Sequence, residues 1–201
     1  MITRSSKFVA KWLLDMGAIS QQDMELYEYA VYSLFFNLIP VGIAVVLGLL
    51  LHMVCEGILL VLPFILIRKF SGGYHLKSPG TCFIASTTFL LLSMLSIQCI
   101  MRGNHFVSFT VVVIFAVLLI FALSPIDSDA RKLTENETKA FRKMARRISG
   151  IVFIVFLILL TMKAYRFAVP IGAGIVITAI LQLPCIFQER DRNQLEVSSK
   201  N

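Results

Sequence analysis

Charge is scarce in this chain. Asp, Glu, Lys and Arg make up only 15% of its 201 residues, whereas soluble globular proteins carry about 25%. Hydrophobic residues make up 57% and recur in long runs along most of the sequence. Runs of about 18 or more apolar residues are typical of transmembrane helices, and the short alternating segments of a membrane barrel are not visible. We therefore predict an all-α, polytopic integral membrane protein rather than a water-soluble one.

The sequence also lacks the short motifs of several enzyme and transporter classes. It contains no glycine-rich nucleotide loop, no HExxH zinc motif and no GxSxG nucleophile motif. There are no internal repeats and no matched pair of interrupted helices. Ionisable residues at mid-membrane depth are almost absent, so the sequence offers no candidates for the ion or proton pathway of a transporter. Stacking aromatics do not interleave with the basic residues, so nucleic acid is not an expected partner. We expect neither a cofactor nor a metal.

Cysteine is rare, with four residues, and no two of them have the spacing of a disulfide pair or a zinc site. Cys55, Cys99 and Cys185 fall in or beside apolar runs, where the ordinary expectation is a small buried hydrophobic side chain. Cys82 differs from the other three because it lies where a polar loop meets an apolar run.

Six apolar segments are candidate membrane spans in one domain over residues 1–201: 30–51, 54–67, 82–101, 106–123, 148–164 and 167–187. The second is short and contains Glu56 and Pro63, so we expect it to be tilted, kinked or only partly inserted. Before the spans, residues 1–16 have the spacing of an amphipathic helix. Such a helix lies in the membrane interface or packs on the protein surface, and its pattern fits both.

The distribution of basic residues predicts the topology. With six spans and a cytoplasmic N-terminus, 16 of the 19 Lys and Arg residues face inward, and only Arg102, Lys163 and Arg166 face outward. Cytoplasmic loops of membrane proteins carry such an excess of Lys and Arg. We therefore predict a multi-pass protein of the cell membrane with both termini in the cytoplasm, together with the loop that contains Cys82.

That loop, residues 68–82, reads RKFSGGYHLKSPGTC. Ser78 and Pro79 suit the N-cap and the first position of a helix, which places Cys82 in the first helical turn. The partial positive charge and free N–H groups of a helix start favour a thiolate and provide oxyanion donors.

A base for this thiol is available seven residues earlier, at His75. Gly72 and Gly73 allow the loop to fold sharply, which would bring the imidazole over the first turn as the partner of a nucleophile. Spacing alone also permits the glycines to be simple turn formers and Arg68 to be a topology anchor. Two ligands do not make a zinc site.

Residues 124–147 form the longest polar stretch and carry seven basic residues, including Lys132. Thr134 and Glu137 fit a capping box, which predicts a helix that runs into the fifth span. The basic face suits the binding of anionic lipid headgroups or the docking of an acidic peptide, and the sequence is compatible with both.

The loop closely resembles the signature of the accessory gene regulator protein B (AgrB) family. That signature is an Arg, then a Gly-Gly-aromatic-His run, then a Cys seven residues after the His. The matching residues are Arg68, Gly72, Gly73, Tyr74, His75 and Cys82. The chain length, the multi-span architecture and the amphipathic N-terminus fit the resemblance, which covers most of the chain.

The resemblance implies a membrane cysteine endopeptidase that acts on a short amphipathic propeptide. Cys82 would be the nucleophile and His75 its partner, with Arg68, Gly72, Gly73, Ser78 and Lys132 supporting the substrate or the loop. The tail of the propeptide would be released through a thioester, and the peptide would close into a thiolactone or lactone. A homodimer in contact with membrane lipids is expected as well. The alternative is a non-enzymatic peptide exporter or a membrane scaffold.

Overall fold

The computed structural model is all-α and describes residues 2–71, 79–125 and 135–184. Its helices are α1 (Ile2–Asp15), α2 (Met24–Leu51), α3 (Val54–Ser71), α4 (Pro79–Gly103), α5 (Phe106–Leu123), α6 (Glu135–Thr161) and α7 (Tyr165–Ile180), with a short 3₁₀ helix at Gln21–Asp23 between α1 and α2. Each of the six predicted spans coincides with one of the helices α2 to α7, so the all-α prediction is confirmed.

Within the part of the chain that the structure describes, three stretches are long and apolar enough to cross a membrane: Ile84–Gly103, Phe106–Leu123 and Thr138–Thr161. Leu38–Leu51 and Tyr165–Ile180 are shorter apolar helices. α3 is 18 residues long but carries Glu56, Arg68 and Lys69. The membrane class is therefore confirmed, while the number of six spans stays a prediction.

Two predicted helix starts are confirmed. α4 begins at Pro79, as the Ser-Pro step predicts. α6 begins at Glu135 and continues without interruption through the fifth apolar segment to Thr161, as the capping pattern predicts. The basic segment and the span are therefore one helix. α7 ends at Ile180, several residues before the predicted end, because the chain turns at Leu181 and Gln182.

The connections α2–α3, α4–α5 and α6–α7 use the same turn. His52, Asn104 and Lys163 have φ of 56°, 52° and 58°, which is the left-handed conformation of a helix C-terminus. The next amide in each case reaches back five residues, as in Met53 N–H to Gly48 O at 2.7 Å. These hydrogen bonds satisfy carbonyls at the helix ends. Three tight turns therefore join helices at one end of the bundle, the end predicted to face outward.

The helix α7 forms the centre of the larger of two compact units, Ala44–Asn201, and packs against α3, α4, α5 and α6. Its residues Ala168–Ile175 are all buried. A Cβ on Gly174 would lie 2.5 Å from the Leu60 carbonyl oxygen, and one on Gly172 would lie 2.9 Å from Phe109 and Phe156. Small residues at these positions let helix backbones approach closely, as in membrane helix bundles.

Large apolar side chains cover the outside of the same helices. Val107, Phe115 and Leu118 on α5 are exposed, as is appropriate for a surface that contacts lipid. Cys55 and Cys99 are also exposed, so the expectation that they are buried is wrong. A helix that is apolar on all sides can turn a small thiol toward lipid as readily as toward its neighbours.

The smaller unit, Met1–Ile43, contains α1 and the first part of α2. Ala10 of α1 is buried, while Phe8, Trp12 and Met16 are exposed. Lys7 Nζ lies 3.9 Å from Glu28 Oε1 and links the two helices. The predicted amphipathic helix is thus present. Its location in the membrane interface and the single domain over residues 1–201 stay predictions.

Candidate active site

The last turn of α3 carries the first residue of the predicted motif. Arg68 is half-buried, and its guanidinium lies over the Phe64 ring at 5.3 Å from the centroid. One turn of helix separates the two residues, so the ring can hold the cation at the helix end. Lys69 lies over the neighbouring Phe70 ring at 5.7 Å. The end of α3 therefore presents two cations supported by aromatic rings.

The start of α4 places the predicted nucleophile. Cys82 is the fourth residue of the helix that begins at Pro79, so the predicted first-turn position is confirmed. A helix start carries about half a positive charge and unpaired N–H groups, which stabilise an anion. Gly72, Gly73, His75 and Ser78 lie outside the described residues, as does Lys132. The pairing of His75 with Cys82 stays a prediction.

The basic segment of α6 is anchored to the end of α3. The Phe141 and Phe70 rings pack at 5.9 Å between centroids. Arg146 donates from Nε and Nη2 to the carbonyl oxygen of Phe121, at 3.1 and 2.9 Å, and so caps the end of α5. Lys139, Arg142, Lys143 and Arg147 are exposed. The cations of α6 thus lie beside the end of α3 that leads to the motif.

A hydrogen bond between two buried polar side chains lies at the same end of the bundle, and the sequence did not predict it. Gln182 Nε2 donates to Ser124 Oγ at 3.0 Å, which joins the chain beyond α7 to the end of α5. Both residues are almost fully buried. Among the described residues, none donates to Gln182 Oε1. The signal in the sequence was a glutamine late in an otherwise apolar run.

The opposite end of the bundle holds an ion pair that the sequence did not predict. Arg166 Nε donates to Glu56 Oε1 at 2.6 Å and joins the start of α7 to the first turn of α3. The presence of a carboxylate inside a predicted span could have indicated an ion pair, because such a group needs a partner. Within residues 2–71, 79–125 and 135–184, no three His, Cys, Asp or Glu side chains converge to hold a metal.

These features define a helical membrane protein with a cysteine at a helix start and a basic helix that packs beside the end of α3. Residues 5–186 match the family model of accessory gene regulator B. The chain therefore belongs to the AgrB family, as the motif indicated.

Several curated relatives support the assignment. The chain is 22% identical over 189 residues to "Putative AgrB-like protein 2" of Clostridium perfringens strain 13, covering 88% of this chain and 86% of the relative. It is 27% identical over 143 residues to "Putative AgrB-like protein 1" of the same strain, covering 70% and 74%. No solved structure matches the chain. Membership of the family implies the processing of a quorum-sensing propeptide by a membrane peptidase.

Proposed function

We propose that this protein is a cysteine endopeptidase of the cell membrane that removes the C-terminal tail of a short amphipathic propeptide and promotes its cyclisation. One observation carries the proposal: Cys82 occupies the first turn of a helix that begins at Pro79, in a chain of the AgrB family. Because a helix start stabilises negative charge, that position favours the thiolate over the thiol.

The reaction begins with transfer of the Cys82 proton to His75. The thiolate attacks the scissile carbonyl carbon, and the N–H groups at the start of α4 stabilise the oxyanion. The C–N bond then breaks, and the tail leaves as an amine that takes the proton from His75. The remaining peptide is bound to Cys82 as a thioester.

Ring closure follows from the same intermediate. A Cys thiol or Ser hydroxyl inside the peptide attacks the thioester carbonyl, the C–S bond to Cys82 breaks, and the Cys82 thiol is regenerated. Exchange of one thioester for another is nearly isoenergetic, so closure to a thiolactone needs no ATP. Holding both groups on one enzyme makes the attack intramolecular, which greatly raises the effective concentration of the nucleophile.

The substrate would be held by charge. The exposed cations of α6 lie beside the end of α3, where Phe70 and Phe141 pack together. An acidic propeptide tail would meet these cations, and Lys132 would extend the same basic segment. Arg68, Gly72, Gly73 and Ser78 would shape the loop and support the peptide.

The reaction requires a particular topology. Six spans with both termini inside would place Cys82 and the basic part of α6 on the cytoplasmic side, where a newly made propeptide lies on the inner leaflet. The excess of Lys and Arg on that side supports this arrangement. A homodimer in the lipid bilayer is part of the proposal.

The proposal is tested with purified protein, propeptide and vesicles, by mass spectrometry of the products. Cys82→Ala should lower tail release by at least about a thousandfold, as removal of a nucleophile does. Cys99→Ala is the matched control, because it removes an exposed thiol from the same helix and should leave the rate unchanged. Normal processing by Cys82→Ala would falsify the proposal.

The role of His75 has its own readout. His75→Ala should lose most activity near neutral pH and regain part of it as the pH approaches about 8.5, where an unassisted thiol ionises. An exporter or scaffold would instead tolerate Cys82→Ser when it moves or presents a ready-made peptide, so transport of synthetic cyclic peptide by that variant separates the two functions.

A further inference from the structure

A cavity of about 320 Å³ opens at the end of the bundle that lies away from Cys82. Its walls come from the turn after α2, the first turn of α3, the last turns of α4 and the start of α7. Charged and polar side chains line it beside apolar ones: Glu56, Arg102, Arg166, His52 and Gln98, with Met53 among the apolar ones. All of these belong to the larger compact unit.

Glu56 is the unusual group in this cavity. Its side chain is only 10% exposed, and Oε1 accepts the hydrogen bond from Arg166. The second oxygen, Oε2, is buried and accepts no hydrogen bond from any described residue. A buried carboxylate oxygen without a donor is costly. Glu56 also lines the cavity, so a turn of its carboxylate toward the opening would let a ligand that carries N–H or O–H groups satisfy this oxygen.

The charges around the cavity restrict the chemical class of the ligand further. Arg102 is exposed at the rim, and the Arg166 side chain is 65% exposed even though its Nε pairs with Glu56. Both guanidinium groups keep donors that suit a phosphate. One wall is acidic and two are basic, so the complementary ligand is a zwitterion that joins an N–H-bearing cation to a phosphate.

The position of the cavity across the membrane indicates the source of such a ligand. Twenty residues of continuous helix separate Cys82 from Arg102 in α4, which at 1.5 Å per residue is about 30 Å. The hydrocarbon core of a bilayer is also about 30 Å thick. When Cys82 lies at one membrane surface, the cavity therefore lies at the headgroup level of the other.

We propose that this cavity binds the phosphoethanolamine headgroup of a membrane phospholipid. The primary ammonium donates to Glu56 Oε2, the phosphate accepts from Arg102 and Arg166, and the acyl chains run along the exposed apolar surface below. The site binds without a covalent step, and it goes beyond the proposed peptidase reaction. A phosphocholine headgroup has the same charges but no N–H to donate, so the cavity discriminates against it.

Native mass spectrometry of the full-length protein with lipids of identical acyl chains tests the proposal without any variant. The probes are phosphatidylethanolamine, its N-methyl and N,N-dimethyl derivatives, and phosphatidylcholine. Wild type should prefer phosphatidylethanolamine to phosphatidylcholine by about tenfold, the value of one hydrogen bond to a charged group. The largest loss should come with the last methyl group, which removes the last N–H. Equal binding of all four lipids overturns the proposal.

Three variants locate the site. Glu56→Met, which keeps the side-chain length but has no oxygen acceptor, should bring the preference for phosphatidylethanolamine close to one. Arg102→Gln should weaken the binding of both lipids and keep the preference. Lys163→Gln removes a charge from a neighbouring turn outside the cavity and should change neither value. Retention of the full preference by Glu56→Met overturns the assignment of Glu56 as the ammonium acceptor.

Discussion

Gly174 is expected to be the least replaceable glycine in the described helices. A Cβ at this position would lie 2.5 Å from the Leu60 carbonyl oxygen and 3.2 Å from the Pro63 Cβ. Real Cβ atoms do not approach a backbone oxygen so closely, and that oxygen cannot rotate away as a side chain could. Gly174→Ala therefore requires α3 and α7 to separate, which at the upper end of overpacking costs about 2–3 kcal/mol.

A matched control exists on α6. A Cβ on Gly150 would meet only the Phe121 Cζ atom, at 3.8 Å, an ordinary contact. Alanine is better than glycine inside a helix by about 0.5–1 kcal/mol. Gly150→Ala should therefore stabilise the protein, so the same chemical change has opposite signs on the two helices.

Unfolding in mixed detergent micelles, followed by circular dichroism against the fraction of denaturing detergent, measures both effects. Gly174→Ala should shift the midpoint down and Gly150→Ala should shift it up. If Gly174→Ala unfolds at the wild-type midpoint, α3 and α7 are not packed backbone to backbone as described, and the central position of α7 is wrong.

Three further predictions use the same unfolding assay. Arg146→Gln removes both hydrogen bonds to Phe121 O and should lower the free energy of unfolding by about 1–2 kcal/mol. Substitution of the exposed Arg142 by Gln should change the midpoint little, and equal effects of the two variants would contradict the capping role of Arg146. Lys163→Gly relieves the backbone strain of a residue in the left-handed conformation, with φ 58°, and should stabilise the protein by about 0.5–1 kcal/mol. Lys163→Ala is the control, because it keeps the strain. Gln182→Met alone leaves the buried Ser124 Oγ without its donor and should cost about 1–3 kcal/mol of unfolding free energy. The double variant with Ser124→Ala removes both partners together with the unmatched amide oxygen and should be close to neutral. Equal losses in the single and the double variant would contradict the hydrogen bond between the two residues.

Local chemistry explains which parts of the fold were predictable. The starts of α4 and α6 follow from a Ser-Pro step and a capping box, which act within one helical turn. The gaps between the predicted spans located the turns at His52, Asn104 and Lys163. Their left-handed conformation was not predicted, because none of these positions is the glycine that usually marks a left-handed helix end. Their geometry is imposed by the helices that follow directly.

The identity of the central helix could not be predicted either. Helices in lipid are apolar on all sides, so the 3.6-residue pattern that separates core from surface in soluble proteins is weak. α7 is central because Gly172 and Gly174 allow close approach, and only the close spacing of small residues hinted at this. The candidate site was predicted from one motif, whose Cys82 has its predicted place at the start of α4. The ion pair of Glu56 and Arg166 was missed because 110 residues separate its partners.

That separation has a consequence for the synthesis of the protein. A ribosome adds about 5–20 residues per second, so Glu56 is made on the order of 5–20 s before Arg166. During this interval α3 carries a carboxylate whose partner Arg166 does not yet exist. The ion pair that joins α3 to α7 therefore forms only after the start of α7 has been made, although α3 is among the first helices to be translated.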